Sequence, residues 1–260
     1  MADGDTDDLI SSLEASVREA VSGKKIAVAF SGGLDSGVLA LLSKKYADVT
    51  LYTVGAEGAY DVRAAEEIAK LLKLPWIHLT ISEDILEKEI PEMIRITGTV
   101  NPITISFEVP LYMVLKHSSE NIVLSGQGAD ELFAGYSKYI GLNEVEFADA
   151  LKKDMMQLLN VTLAHEKAVA DNFEKKVVYP YLDERVMRSA DRIEVPSDDN
   201  RKPMLRDAAV TLGCPELAEK RKKAAQYGSG TMVTMRSMAK KRKITVREMI
   251  LSMNESVKER

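Results

Sequence analysis

The sequence predicts an α/β fold, a mainly parallel sheet with flanking helices, followed by a helical C-terminal region. Short apolar, β-branched runs alternate with helical stripes between residues 25 and 124. Such alternation needs crossover helices and hence parallel strands. Two of the runs lead into glycine-rich loops, and ligands of open parallel sheets bind beyond the carboxyl ends of the strands. After about Gly141 the alternation stops. The expected organisation is an N-terminal helix over 1–22, an α/β nucleotide-binding core over 23–141, and a helical region over 142–260 that completes the active site.

Each element has its own signal. Leu9, Ile10, Leu13, Val17 and Val21 form a helical stripe that stops at Ser22-Gly23. Ile26 to Phe30 reads as a buried strand, and the residues from Ser36 onward return to helical spacing. Val49 to Val54 is a second strand. Val62, Ala65, Ile68, Ala69 and Leu72 share one helical face, and Pro75 to Thr80 is a third strand. Ser82 is placed to cap a helix to about Ile96, and a further helix from about Thr104 to His117 precedes a fourth strand, Asn121 to Gly126. Beyond it, helices are expected over about 143–159, 161–176, 183–190, 203–212 and 229–240. Thr245 and Glu248 form a capping box for the last one.

Composition narrows the function. With 260 residues, 45% of them hydrophobic, the chain can bury a substantial core. Its 35 basic and 40 acidic residues give a net charge of −5, which argues against a general nucleic-acid binder. No apolar run reaches the roughly 20 residues that span a bilayer, and the acidic start Met1-Ala2-Asp3-Gly4-Asp5 is unlike a signal peptide, so a cytoplasmic location is expected. Cys214 is the single cysteine, which excludes internal disulfides and cysteine-cluster metal sites.

The chemistry concentrates in two loops. Ser31-Gly32-Gly33-Leu34-Asp35-Ser36 lies at a strand-to-helix turn, where glycine admits an anion close to the main chain and the helix N-terminus attracts it. Ser125-Gly126-Gln127-Gly128-Ala129-Asp130-Glu131 ends the fourth strand in the same way. Asp35 and Asp130, each just beyond a strand, could share one Mg2+, which takes one or two carboxylates together with substrate phosphates. There is no Walker A sequence and no GxGxxG after any strand.

At these residues the chain resembles a known family. Ser31 to Ser36 is similar to the pyrophosphate-loop motif of ATP pyrophosphatases. Leu124 to Tyr136 resembles the second motif of the synthetase domain of glutamine-dependent asparagine synthetases. Tyr179-Pro180-Tyr181-Leu182-Asp183 is similar to that family's Pro-Phe-Leu-Asp, Lys202-Pro203-Met204-Leu205-Arg206 to its Lys-x-x-Leu-Arg, and Arg221-Lys222-Lys223 to its Arg-x-Lys. The resemblance implies an adenine nucleotide α-hydrolase-like fold and a ligase that adenylates a carboxylate, releases pyrophosphate and then admits ammonia, with aspartate as the leading acceptor. It implies ATP phosphates on Ser31, Gly32, Gly33, Asp35 and Ser36, and the nucleoside against Val54, Gly55, Ser125, Gly126 and Gly128. Mg2+ would lie on Asp35 and Asp130, and Lys223 or Lys222 would stabilise the transferring phosphorus. Glu131, Tyr136 and Asp183 are the expected acceptor contacts.

Three departures qualify these expectations. About 25 residues precede the first strand and Ala2 follows Met1, so no glutaminase domain with its nucleophilic cysteine is expected; ammonia would come from solution or from a separate glutaminase subunit. Gln127 stands where many members carry Glu and β-lactam-forming relatives Tyr, a position linked to deprotonating the nucleophile. Lys176 and Val178 stand where the family has Glu-x-Arg. Two alternatives therefore stay open: an adenylating amide or thio ligase acting on another acceptor, either a small metabolite or tRNA, and a non-catalytic nucleotide-binding regulatory subunit.

Overall fold

The structure, a computed structural model, describes residues 3–190, 194–197, 201–220 and 225–258. Its sheet contains β1 (Lys25–Ala29), β2 (Asp48–Gly55), β3 (Trp76–Thr80), β4 (Ile122–Leu124) and β5 (Lys176–Val178), in the order β3-β2-β1-β4-β5 with every pairing parallel. The parallel α/β expectation is met, and the four strands read from the sequence are present. β5 begins at the last residue of a stretch read as helical, 161–176, and runs two residues past it. It is a three-residue edge strand, Lys176-Val177-Val178, too short to show a period of two, and it exists because Lys176 to Val178 pair with Ile122 to Leu124.

The helices run in chain order as α1 (Asp3–Val21), α2 (Leu34–Ser43), α3 (Tyr60–Leu72), α4 (Glu83–Thr97), α5 (Pro102–His117), α6 (Ala129–Leu132), α7 (Glu144–Gln157), α8 (Leu163–Asn172), α9 (Glu184–Ser189), α10 (Pro203–Thr211), α11 (Pro215–Ala218), α12 (Ala225–Gly228), α13 (Thr231–Lys241) and α14 (Val246–Lys258). Their ends follow local chemistry. Ser82 Oγ accepts from Ile85 N at 3.2 Å, Asn101 Oδ1 from Ile103 N at 2.9 Å, and Thr245 and Glu248 close the predicted capping box. A π-helical turn over Leu158–Thr162 joins α7 to α8.

Alternation along the strands sorts the core into two layers. Ile26, Val28, Val49, Leu51 and Leu124 face one side, packed against Leu9, Leu13 and Val17 of α1, Val38 and Leu42 of α2, and Leu205 of α10. Ala27, Tyr52, Val54 and Val123 face the other, against α4, α5, α8, Met235 and Met238 of α13, and Met249 of α14. Both faces are covered, so the strands are apolar on both sides, as parallel sheets require. Each buried Leu or Ile in these layers contributes about 2 kcal/mol of burial. The helical C-terminal segments are thus split between the two layers, and the carboxyl ends of β1, β2 and β4 remain as the open edge where the site forms.

Candidate functional site

β1 and β4 are adjacent, so the two glycine-rich loops emerge side by side. Gly32 has φ +70°, and a Cβ there would collide with the backbone of Ala64 and Ala65, so only glycine lets the first loop pass under α3. Within that loop Ser31 N donates to Ser36 Oγ at 3.2 Å and Gly33 N to Ser31 Oγ at 3.3 Å. Tyr181, in the Tyr-Pro-Tyr-Leu-Asp stretch after β5, donates its hydroxyl to the Asp35 carbonyl at 2.9 Å and so fixes the start of α2. In the second loop Gln127 N donates to Ser125 Oγ at 3.3 Å. Gly126 lies against Asp35, where an added Cβ would come within 3.3 Å of the Asp35 Cβ.

A cavity of about 220 Å3 opens over these loops. Of the residues expected from the sequence, Ser31, Gly32, Gly33, Asp35, Ser36, Val54, Ser125, Gly126, Gln127, Asp130 and Tyr136 line it. Four others do not join them. Gly55 and Gly128 serve packing, since a Cβ would press on Val62 at the first and on Leu182 at the second. Glu131 sits behind the wall with its Oε1 accepting from the Tyr136 hydroxyl at 2.7 Å. Asp183 turns away from the cavity, where its Oδ1 caps α9 through Arg185 N at 3.0 Å and its carboxylate pairs with Arg185, which also reaches Glu19 on α1. That bonding with Arg185 holds the Asp183 carboxyl down at about 2. Lys222 and Lys223 lie outside the described residues. At the positions of the missing Glu-x-Arg, Lys176 is exposed at the start of β5 and Val178 packs against the core.

At the loop end of the cavity, Lys202 Nζ lies 2.6 Å from Asp35 Oδ1 and 2.8 Å from Asp130 Oδ1. Lys202 is 3% exposed and holds a left-handed backbone, φ 57°, immediately before Pro203 of α10. Burial lowers the pKa of its ammonium, while the Asp35 carboxylate and nearby Glu131 oppose the shift. Arg206 is spent on carbonyls, donating to Arg201 O at 2.8 Å and to Ala218 O, and so ties α10 to the end of α11. Lys220 pairs with Glu67 at 2.5 Å. The donor set suits a divalent cation with a polyphosphate: two carboxylates already converge on one cation, the Lys202 ammonium, beside loop hydroxyls and a helix N-terminus.

Elsewhere on the cavity wall, Gln127 Nε2 of the second loop donates to Glu166 Oε1 at 2.8 Å. Glu166, on α8, is 4% exposed and lines the cavity, with the Tyr179 hydroxyl beside its carboxylate. Burial pushes its carboxyl up to about 7, with the Gln127 amide and the Tyr179 hydroxyl opposing the rise and Glu108 and Glu131 adding to it. Glu108, on α5, accepts from His165 Nδ1 at 3.0 Å, and burial raises its carboxyl, as it does that of Glu131.

Lys202 and Glu166 are among the cavity residues that reading the sequence did not place in the site. Lys202 carried a signal in its Lys-x-x-Leu-Arg stretch. Glu166, between His165 and Lys167 in a polar helical run, carried none.

The asparagine synthase family model matches residues 8–176. The chain is 32% identical to the putative asparagine synthetase 1 (glutamine-hydrolyzing) of Methanocaldococcus jannaschii, an alignment covering 88% of this chain and 50% of that protein. It is 29% identical to asparagine synthetase B (glutamine-hydrolyzing) of Escherichia coli, covering 73% of this chain and 38% of the other. The chain therefore spans about half the length, or less, of these curated relatives. Among solved structures, NMN synthetase from Francisella tularensis aligns over 95% of this chain and 83% of its own, with a TM-score of 0.46 at 15% identity. With its two glycine-rich loops at adjacent strand ends and a family match over more than half its length, the chain belongs to the asparagine synthase family.

Proposed function

We propose that the protein is an ATP-dependent carbon–nitrogen ligase that forms AMP. A carboxylate attacks the α-phosphorus of ATP, giving an acyl-adenylate and pyrophosphate, and ammonia then displaces AMP to give an amide. Activation is required because a carboxylate is a poor electrophile. The observation that carries this reading is the convergence of Asp35 and Asp130 on one cation beside the Ser31–Ser36 loop.

In this reading Ser31, Ser36 and the amides around Gly32 and Gly33 hold the phosphates, with Val54, Ser125 and Gly126 against the nucleoside. Asp35 and Asp130 would hold Mg2+, which when bound offsets charge on the phosphates. Arg201, Lys202, Arg206 and Lys220 line the same cavity and place further positive charge near the leaving pyrophosphate. Lys222 or Lys223 remains the expected partner of the transferring phosphorus.

Gln127 cannot accept a proton, but its amide orients Glu166, whose carboxyl near 7 suits a general base at neutral pH. Glu166 would take a proton from the incoming nitrogen, with Gln127 orienting its carboxyl through Oε1. Tyr136, bonded to Glu131, would contact the acceptor from the other side.

Aspartate is the leading acceptor and ammonia the nucleophile, supplied free or by a separate glutaminase subunit. Val178, packed into the core where relatives place an arginine, favours a second reading in which the acceptor is another carboxylate. The cytoplasm suits the buried free thiol of Cys214, and no described helix is long and apolar enough to cross a membrane. The test is incubation with ATP, Mg2+, ammonium and a panel of carboxylates including aspartate. Acceptor-dependent release of AMP and pyrophosphate in equal amounts is expected. Tight ATP binding with no pyrophosphate from any mixture would assign a regulatory role instead.

A further inference from the structure

We propose that Lys202 is a resident cation that holds the Asp35–Asp130 pair in the nucleotide-free protein and must withdraw before a divalent metal enters, which makes metal binding conditional on nucleotide. The inference rests on reading the loop pair as an ATP and metal site.

The geometry places the ammonium where a metal ion would lie. Nζ is within 2.8 Å of one oxygen from each carboxylate, both named Oδ1, and Lys202 is almost fully buried. On one side the space beside it is closed: Gly135 packs so tightly that a Cβ there would collide with both Lys202 Cε and Asp130 Oδ1, so a second cation cannot reach these oxygens from that side while the side chain stays. Charge gives the same answer. Two carboxylates and one ammonium carry one net negative charge, and a divalent ion added within a few ångströms of Nζ would meet like-charge repulsion from the ammonium.

A nucleotide changes that balance. Its phosphates bring several negative charges to the Ser31–Ser36 loop, enough to hold a divalent metal and the Lys202 ammonium together. The flexible lysine stem can then turn from the carboxylates to the phosphates. Lys202 acts as a positioning residue in both states. Without nucleotide it keeps two half-buried carboxylates from repelling each other; with nucleotide it becomes one of the cations around the pyrophosphate.

The test uses Mn2+ as the probe, with binding read from the loss of the free-ion electron paramagnetic resonance signal. Wild-type protein without nucleotide is expected to show no stoichiometric site at submillimolar Mn2+, and one site per chain when α,β-methylene ATP is present. Lys202→Met is expected to bind one Mn2+ without nucleotide at least about tenfold more tightly than wild type, a gain of about 1.4 kcal/mol. Adding Asp35→Asn to that variant should remove the gained site, and Lys202→Arg, which keeps the charge, should behave as wild type.

Nucleotide-free wild type that binds Mn2+ as tightly as the nucleotide complex overturns the proposal, and that measurement needs no variant. A folded Lys202→Met protein, checked by its circular dichroism melt, that gains no affinity overturns it as well. If wild type takes up neither α,β-methylene ATP nor Mn2+, the ATP-site reading itself falls and the role of Lys202 falls with it.

Discussion

Two groups of carboxylates at the cavity, one by the loops and one by α8, are handled in opposite ways. At the loop end, Asp35 and Asp130 share the Lys202 ammonium. At the α8 end, Glu166, Glu108 and Glu131 are buried near one another with an amide, a histidine and a tyrosine as partners, and all three carboxyls are raised. The loop end is built to hold charge in place. The α8 end is built to let a proton come and go, because a buried carboxyl near 7 is neutral or charged at little cost. In a ligase of the proposed kind, these are the separate needs of a polyphosphate and of an incoming amine.

The sharpest way to break this contrast is at the loop end. Asp35→Asn removes half of the carboxylate pair, and acceptor-dependent pyrophosphate release is expected to fall by roughly 10^3-fold or more. Near-normal release from a folded Asp35→Asn protein would detach that end from the chemistry.

Glu166→Gln probes the other end. Amide formation should drop by about 10^2- to 10^4-fold, the usual range for losing a general base, while acceptor-dependent exchange of pyrophosphate into ATP is retained. Parallel loss of both activities would show that the two ends do not divide the reaction. In the wild type the amide-forming step should rise with pH through about 7, following ionisation of Glu166, and that rise should vanish in Glu166→Gln.

The same carboxyl makes a stability prediction. Its folded-state value of about 7 lies above the ordinary 4.5, so between these values the folded protein binds the extra proton. Stability must fall as pH rises through that window and level off above it, by about 3 kcal/mol from this group. Urea midpoints measured from pH 4.5 to 8 should show a shallower fall in Glu166→Gln. An unchanged slope would mean that burial does not shift this group.

Two smaller effects sharpen the comparison. Gly32→Ala forces a side chain into a left-handed backbone against Ala64 and Ala65. The cost should be about 1–3 kcal/mol, with weaker ATP binding by equilibrium dialysis. Asp183→Ala should cost only about 1 kcal/mol of stability from the lost α9 cap and leave the kinetics of a saturated enzyme unchanged, since its carboxylate serves Arg185 and the helix. A large kinetic defect in this variant would return Asp183 to the acceptor site.

The sequence by itself determined the alternation of strands and helices, the two loops at strand ends and most helix caps. Hydrophobic period, glycine placement and capping chemistry are properties of a few consecutive residues, legible without partners. It also marked Asp35 and Asp130 as a pair, because each follows a strand in the same pattern. Only the tertiary structure decided that β4 lies beside β1, that three residues after α8 become β5, that Asp183 turns to Arg185, and that Lys202 and Glu166 join the cavity from positions 202 and 166. Those outcomes depend on strand order and on how α8 and α10 pack over the sheet. A glutamate in a polar helical segment looks the same in sequence whether it ends in solvent or beside a phosphate loop, because burial is set by what the rest of the chain brings to it.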